Sequence, residues 1–151
     1  MADGLTLVSD WLGIVELHGF SSDMRARNVE LFEQLGAWVA TTAPGDLQRL
    51  FAEACHRHAW HAELWSQRTP AIPIGLQMVS PSGHVDDLAT EPDGTVRGAH
   101  YRMALSELEA GLGGIRGRID PTLDPATART VELVSRDVAD IRDRLDRIVS
   151  G

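Results

Sequence analysis

Apolar side chains recur every three or four positions through most of this chain, the spacing of helices that bury one face. The last such run is the cleanest: Thr127, Val131, Val134, Val138, Ile141, Leu145 and Ile148 form one seam. Asp124 as N-cap and Pro125 at the first helical position start that helix, because proline has no amide hydrogen to leave unpaired there. A third helix is expected from about Ala99 to Arg118, with Tyr101, Leu105, Leu108, Leu112 and Ile115 facing inward. A second is expected from the N-cap Asp46 to about Arg68, where Thr69-Pro70 stops it. Leu47, Leu50, Phe51, Ala54, Ala62 and Trp65 lie on one of its faces. Ahead of the turn Thr41–Asp46, residues 5–20 are apolar on nearly every side and a further run spans 24–39. Ser21-Ser22-Asp23 between them is a cap or a break, so 5–39 reads either as one bent helix or as two.

From 70 to 99 the helical period is lost. Pro70, Pro73, Pro81 and Pro92 alternate with Gly75, Gly83, Gly94 and Gly98. The expected architecture is therefore all-α, one domain. A helical hairpin (5–69), a long crossover (70–99) and a second hairpin (99–150) close into an antiparallel four-helix bundle. A link of that length inside a compact domain runs along the bundle rather than around one end.

The densest chemistry lies in residues 53–65, EACHRHAWHAELW. At about 100° per residue, His58 and His61 fall near the centre of the second helix's apolar face, whereas Glu53, His56 and Glu63 fall outside it. Two inward histidines one turn apart need partners, because an unpaired buried polar group is costly. Glu16, between Leu5, Leu12 and Phe20, is expected to be a buried carboxylate, which must be either paired or raised in pKa. The fold about the 41–46 turn nevertheless puts His58 near Val29 and His61 near Ala26, well below Glu16, so that only a bend at Ser21–Asp23 would bring Glu16 to them. Asp137 borders the seam of the last helix and is its acidic candidate; Glu30 and Glu33 belong to the polar side of theirs. Trp65, Tyr101 and Trp11 are the expected lining of a pocket in the bundle. Glycines in EAGLGGIRGRID make the end of the third helix bent, tightly packed or mobile, which leaves room for a ligand or simply kinks it. Met78, His84, Asp86 and Asp87 lie in the crossover, where sites and lids are common.

Composition narrows the classes. A net charge of −8 argues against nucleic acid or an anionic membrane surface as a partner. All basic residues are arginine, which removes Schiff-base lysine chemistry. The single Cys55 excludes an internal disulfide and fits a reducing cytoplasm. No signal-peptide pattern or membrane-length apolar run is present. A homodimer is allowed but no residue demands one.

Residues 30–70, ELFEQLGAWVATTAPGDLQRLFAEACHRHAWHAELWSQRTP, resemble bacterial ferritin-like proteins, with their short first turn and histidine-bearing second helix. DPTLDPATARTVELVSRDVADI resembles the start of the last helix in the same superfamily. The resemblance implies the ferritin-like order of four helices. It also implies a di-iron site with a carboxylate from each of two helices and Glu-x-x-His from each of the others. Glu53-x-x-His56 has that spacing but points outward, and the fourth helix offers only Glu132-x-x-Ser135. The site is expected to be degenerate. Three readings follow. In the first, a small-molecule enzyme uses His58, His61 and Glu16 as acid, base or polar anchors without a complete di-iron centre, its substrate held by Trp65, Tyr101 and Trp11. In the second, an iron-dependent oxygenase uses Glu16, His58, His61 and Asp137, or the family-spaced Glu53 and His56. In the third, a non-catalytic bundle binds a ligand or protein.

Overall fold

The computed structural model describes residues 10–77 and 93–151. Four helices carry the chain: α1 (Ile14–Thr41), α2 (Asp46–Arg68), α3 (Gly94–Arg116) and α4 (Pro125–Ser150). A single 3-10 turn, Ile74–Leu76, follows α2, and the described residues contain no strand.

α1 is one continuous helix of 28 residues, which decides between the two readings of 5–39. Ser21 is buried within it rather than breaking it, and Asp23 pairs with Arg27 one turn on at 2.8 Å. The start differs from expectation: the helix opens at Ile14, after an extended Gly13, rather than near residue 5. Leu12 N–H instead donates to the Arg118 carbonyl at 2.8 Å, which ties this segment to the end of α3. α2 begins one residue earlier than predicted, with Gly45 rather than Asp46 at the N-cap and Asp46 already helical. Asp46 turns its carboxylate to Arg49 instead. α3 begins five residues before the expected Ala99, because the Asp93 side chain accepts the Thr95 N–H at 2.9 Å and caps it there. α4 starts as predicted, with Pro125 at its first position and Asp124 accepting the Thr127 N–H at 3.0 Å.

Contacts at both ends fix the helix directions. His18 near the start of α1 meets the Pro70 carbonyl just beyond α2, so α1 and α2 are antiparallel. Arg118 after α3 reaches Glu16, while Arg97 at its start reaches Thr42, so α1 and α3 are antiparallel. Glu53 pairs with Arg144 and His61 with Asp137, so α2 and α4 are antiparallel. Arg102 pairs with Asp146 and Arg142 with Glu109, which makes α3 and α4 antiparallel as well. α2 and α3 therefore run parallel, so the end of α2 and the start of α3 lie at opposite ends of the bundle.

The predicted apolar faces meet in one core. Leu35, Trp38, Phe51, Trp65, Leu105, Val134 and Val138 are fully enclosed. Aromatic rings fill its middle: Trp38 and Phe51 lie 5.4 Å apart, and Phe51 meets Tyr101 edge-on at 6.0 Å. No helix among the described residues is long and apolar enough to cross a membrane.

Candidate functional site

The two inward histidines are where the helical phase puts them, each with no exposed surface. His58 is held on both sides. Its Nδ1 lies 2.7 Å from Asn28 Oδ1 on α1, and its Nε2 lies 2.8 Å from the Tyr101 hydroxyl on α3. The order of donors follows from the far end of the chain. Asn28 Nδ2 donates to the Met24 carbonyl at 2.8 Å, leaving Oδ1 as an acceptor. His58 Nδ1–H donates to that oxygen, and its bare Nε2 accepts the Tyr101 O–H. Every group in this relay is neutral. Burial pushes the His58 pKa down to about 3, with the neighbouring His61 adding to the shift, and burial raises that of the Tyr101 phenol.

His61, one turn on, faces α4. Its Nε2 lies 2.9 Å from Asp137 Oδ2 and donates to it. Burial lowers the His61 pKa, and the Asp137 carboxylate opposes that shift without overcoming it. The remaining Nδ1 is a buried acceptor with no protein partner among the described residues, as is the donor Nε1 of Trp65 on the same face. Asp137 keeps about a quarter of its side chain exposed, so the dyad touches the surface through its carboxylate alone.

The other predicted site residues are placed elsewhere. Glu16 is exposed rather than buried, and of the two alternatives it is paired, with its pKa lowered. The Gly13 N–H is the first cause and Arg118 the second. The reason is its position. In the first turn of α1 a carboxylate meets unpaired amide hydrogens at the positive helix end, so it turns outward to cap them. Trp11 is also 48% exposed and does not join Trp65 and Tyr101, which are core residues rather than walls of an internal pocket. Glu53 pairs with Arg144 at 2.7 Å on the surface, and His56 is exposed, in line with the helical phase. Among the described residues, no three or more His, Cys, Asp or Glu side chains gather as a metal site. Glu16, His58, His61 and Asp137 do not fit a di-iron centre: of these four only His61 and Asp137 share a hydrogen bond, Glu16 pairs with Arg118, and both His58 nitrogens are engaged within the core. Met78, His84, Asp86 and Asp87 lie outside the described residues.

Open space is found at the other side of α1. A groove of about 870 Å³ runs between α1 and α3. Leu12, Phe20, Met24 and Ile115 give it an apolar floor, and Gly111 and Gly114 leave its α3 wall without side chains. Two sets of ion pairs rim it: Glu16 with Arg118 at 2.9 Å, and Arg27 with Asp23 at 2.8 Å and Glu107 at 3.5 Å. The glycines do leave room for a ligand, but at the surface between two helices rather than inside the bundle. A Cβ on Gly114 would meet nothing within 4 Å. Phe20 joins the two regions, since it lines the groove and packs edge-on against Trp65 at 5.4 Å.

Asn28 was not singled out from the sequence. Its signal is present, however, as an amide on the stripe Met24, Leu31 and Leu35, where a polar side chain requires a partner. Arg27 and Arg118 gave no such signal as rim residues of the groove, because the partners they reach across it, Glu107 and Glu16, are remote in sequence. No protein-family model, curated protein or solved structure matches the chain.

Proposed function

We propose that the chain is a ferritin-like helical bundle that binds a small, elongated, mainly apolar molecule in the groove between α1 and α3, with His58 as a structural member of the core. The parallel direction of α2 and α3, the antiparallel packing of α1 with α2, of α3 with α4 and of α2 with α4, and the placing of the end of α2 and the start of α3 at opposite ends of the bundle support the ferritin-like order. The observation that carries the binding reading is the groove itself. Its volume of about 870 Å³ is in the range of small-molecule sites, roughly 300–1,000 Å³. From Glu107 to Ile115 α3 advances about 12 Å at roughly 1.5 Å per residue, which suits a ligand longer than it is wide. Rim arginines already paired with carboxylates leave hydrophobic contact as the main source of affinity.

Replacing Gly114 by Leu tests this reading. The new side chain fills the groove from a position with open space around it. Leucine also favours helix over glycine by roughly 0.5–1 kcal/mol, so the fold is kept. Nile red, a neutral apolar dye, should bind the parent chain saturably and lose at least about tenfold in affinity in Gly114→Leu. Equal dye binding by both chains overturns the reading.

Acid–base catalysis has one observation in its favour, the Asp137–His61 dyad with its unpartnered Nδ1. Asp137 orients the ring and leaves that nitrogen as the basic one, the arrangement of a general base. Phe20, between the groove and Trp65, is where a substrate would have to pass. If this reading holds, His61→Gln abolishes turnover of any substrate found for the groove while leaving Nile red binding intact. Undiminished turnover removes it.

A further inference from the structure

We propose that the cleft between the last turn of α2 and the first turns of α4 binds a small doubly charged oxyanion of the phosphate type, held by Arg68 and Arg129. Eight of the fourteen arginines of this acidic chain pair with a carboxylate of the described residues, Arg27, Arg49, Arg57, Arg102, Arg118 and Arg144 among them. Arg68 and Arg129 have neither an ion pair nor a hydrogen bond among the described residues, and both line one cleft of about 370 Å³. Among the described residues no carboxylate contributes to that lining, which is completed by Leu64, Gln67, Pro125, Ala126 and Thr130. The acidic groups nearest in sequence are occupied. Glu63 accepts from Gln67 at 3.1 Å, Asp124 accepts the Thr127 N–H at 3.0 Å, and Glu132 pairs with Arg136 at 3.3 Å. Thr130 Oγ1 gives its hydrogen to the Ala126 carbonyl, so the two guanidinium groups are the donors free to meet a ligand.

Two like charges facing one cleft repel, and a dianion between them removes the repulsion while accepting several N–H bonds. The planar guanidinium fork matches two oxygens of a phosphoryl group, which a chloride ion cannot reproduce. The chain's charge of −8 works against long polyanions and favours a small ligand, either free phosphate or a phosphorylated small molecule. This cleft lies between α2 and α4, so its occupancy is independent of the α1–α3 groove.

The test is thermal unfolding and calorimetric titration of the full chain with inorganic phosphate, glycerol phosphate and, at matched ionic strength, sodium chloride. The expected result is saturable binding of phosphate or its ester with a rise in Tm beyond that given by chloride. Tighter binding of the ester marks a phosphorylated metabolite, and equal or weaker binding marks the free ion. Arg68→Gln and Arg129→Gln should each weaken binding about tenfold or more. Arg25→Gln, which removes an unpaired arginine from α1, should leave it unchanged. Lysine at 68 or 129 should retain part of the affinity, since it keeps charge but not the fork. A Tm rise equal to that of chloride, or phosphate binding undiminished in both glutamine variants, overturns the proposal and leaves an adventitious ion only.

Discussion

His58 shows how a polar residue becomes part of a core. Its ring links α1 to α3 through Asn28 and Tyr101, and no group in the relay carries charge. His58→Phe keeps a ring of similar size but strands Asn28 Oδ1 and the Tyr101 hydroxyl. At about 1–3 kcal/mol for each buried unsatisfied group, the loss should be roughly 2–5 kcal/mol, read by urea unfolding. The same burial gives a pH dependence of defined sign. The folded pKa of about 3 lies below the ordinary value of 6.5, so the unfolded chain binds the proton more readily. His58 therefore favours folding least in acid. Stability contributed above pH 6.5 is lost as pH falls towards 3, with a slope approaching about 1.4 kcal/mol per pH unit. His61, also lowered, adds in the same direction. Urea midpoints at pH 7, 6, 5 and 4 should fall more steeply for the parent than for His58→Gln. Parallel curves would show that the histidine is not the titrating group.

At the scale of the element, the sequence was most informative where a helix begins with its own cap. Asp124-Pro125 starts α4 as read, and Asp124→Ala should cost about 1 kcal/mol by freeing the Thr127 N–H. The glycines of α3 divide into distinct roles. A Cβ on Gly113 would meet nothing within 4 Å, so Gly113→Ala should stabilise the helix by up to about 1 kcal/mol, measurable as a higher Tm. A Cβ on Gly111 would come within 2.7 Å of Met24 Cε, so that glycine permits close approach of α1 and α3. Nothing in the spacing of EAGLGGIRGRID separates the two positions, because the difference is set by which neighbour lies across the interface.

In the whole molecule, the bundle divides its polar chemistry among separate places. His58 and His61 sit at its centre, the apolar groove lies along the α1–α3 edge, and two unpaired arginines, Arg68 and Arg129, line a cleft on the α2–α4 edge. A groove-filling Gly114→Leu and a cleft-neutralising Arg129→Gln should therefore act independently. Nile red binding should be lost in the first and kept in the second, with the reverse for phosphate. Coupling between them in the double variant would show that the two edges communicate through the core.

Helical phase alone determined that His58 and His61 face inward and that Glu53 and His56 do not, because direction around a helix is a property of local spacing. It also placed His58 within a residue of its partner on α1, since a tight turn fixes the register of two antiparallel helices. Glu16 was misread because the start of α1 depends on Leu12 being bound to Arg118, more than a hundred residues away. Which buried nitrogens find partners, where the glycines leave space and which arginines remain unpaired were decided only by the packing of four helices, since each depends on atoms brought together from different ends of the chain.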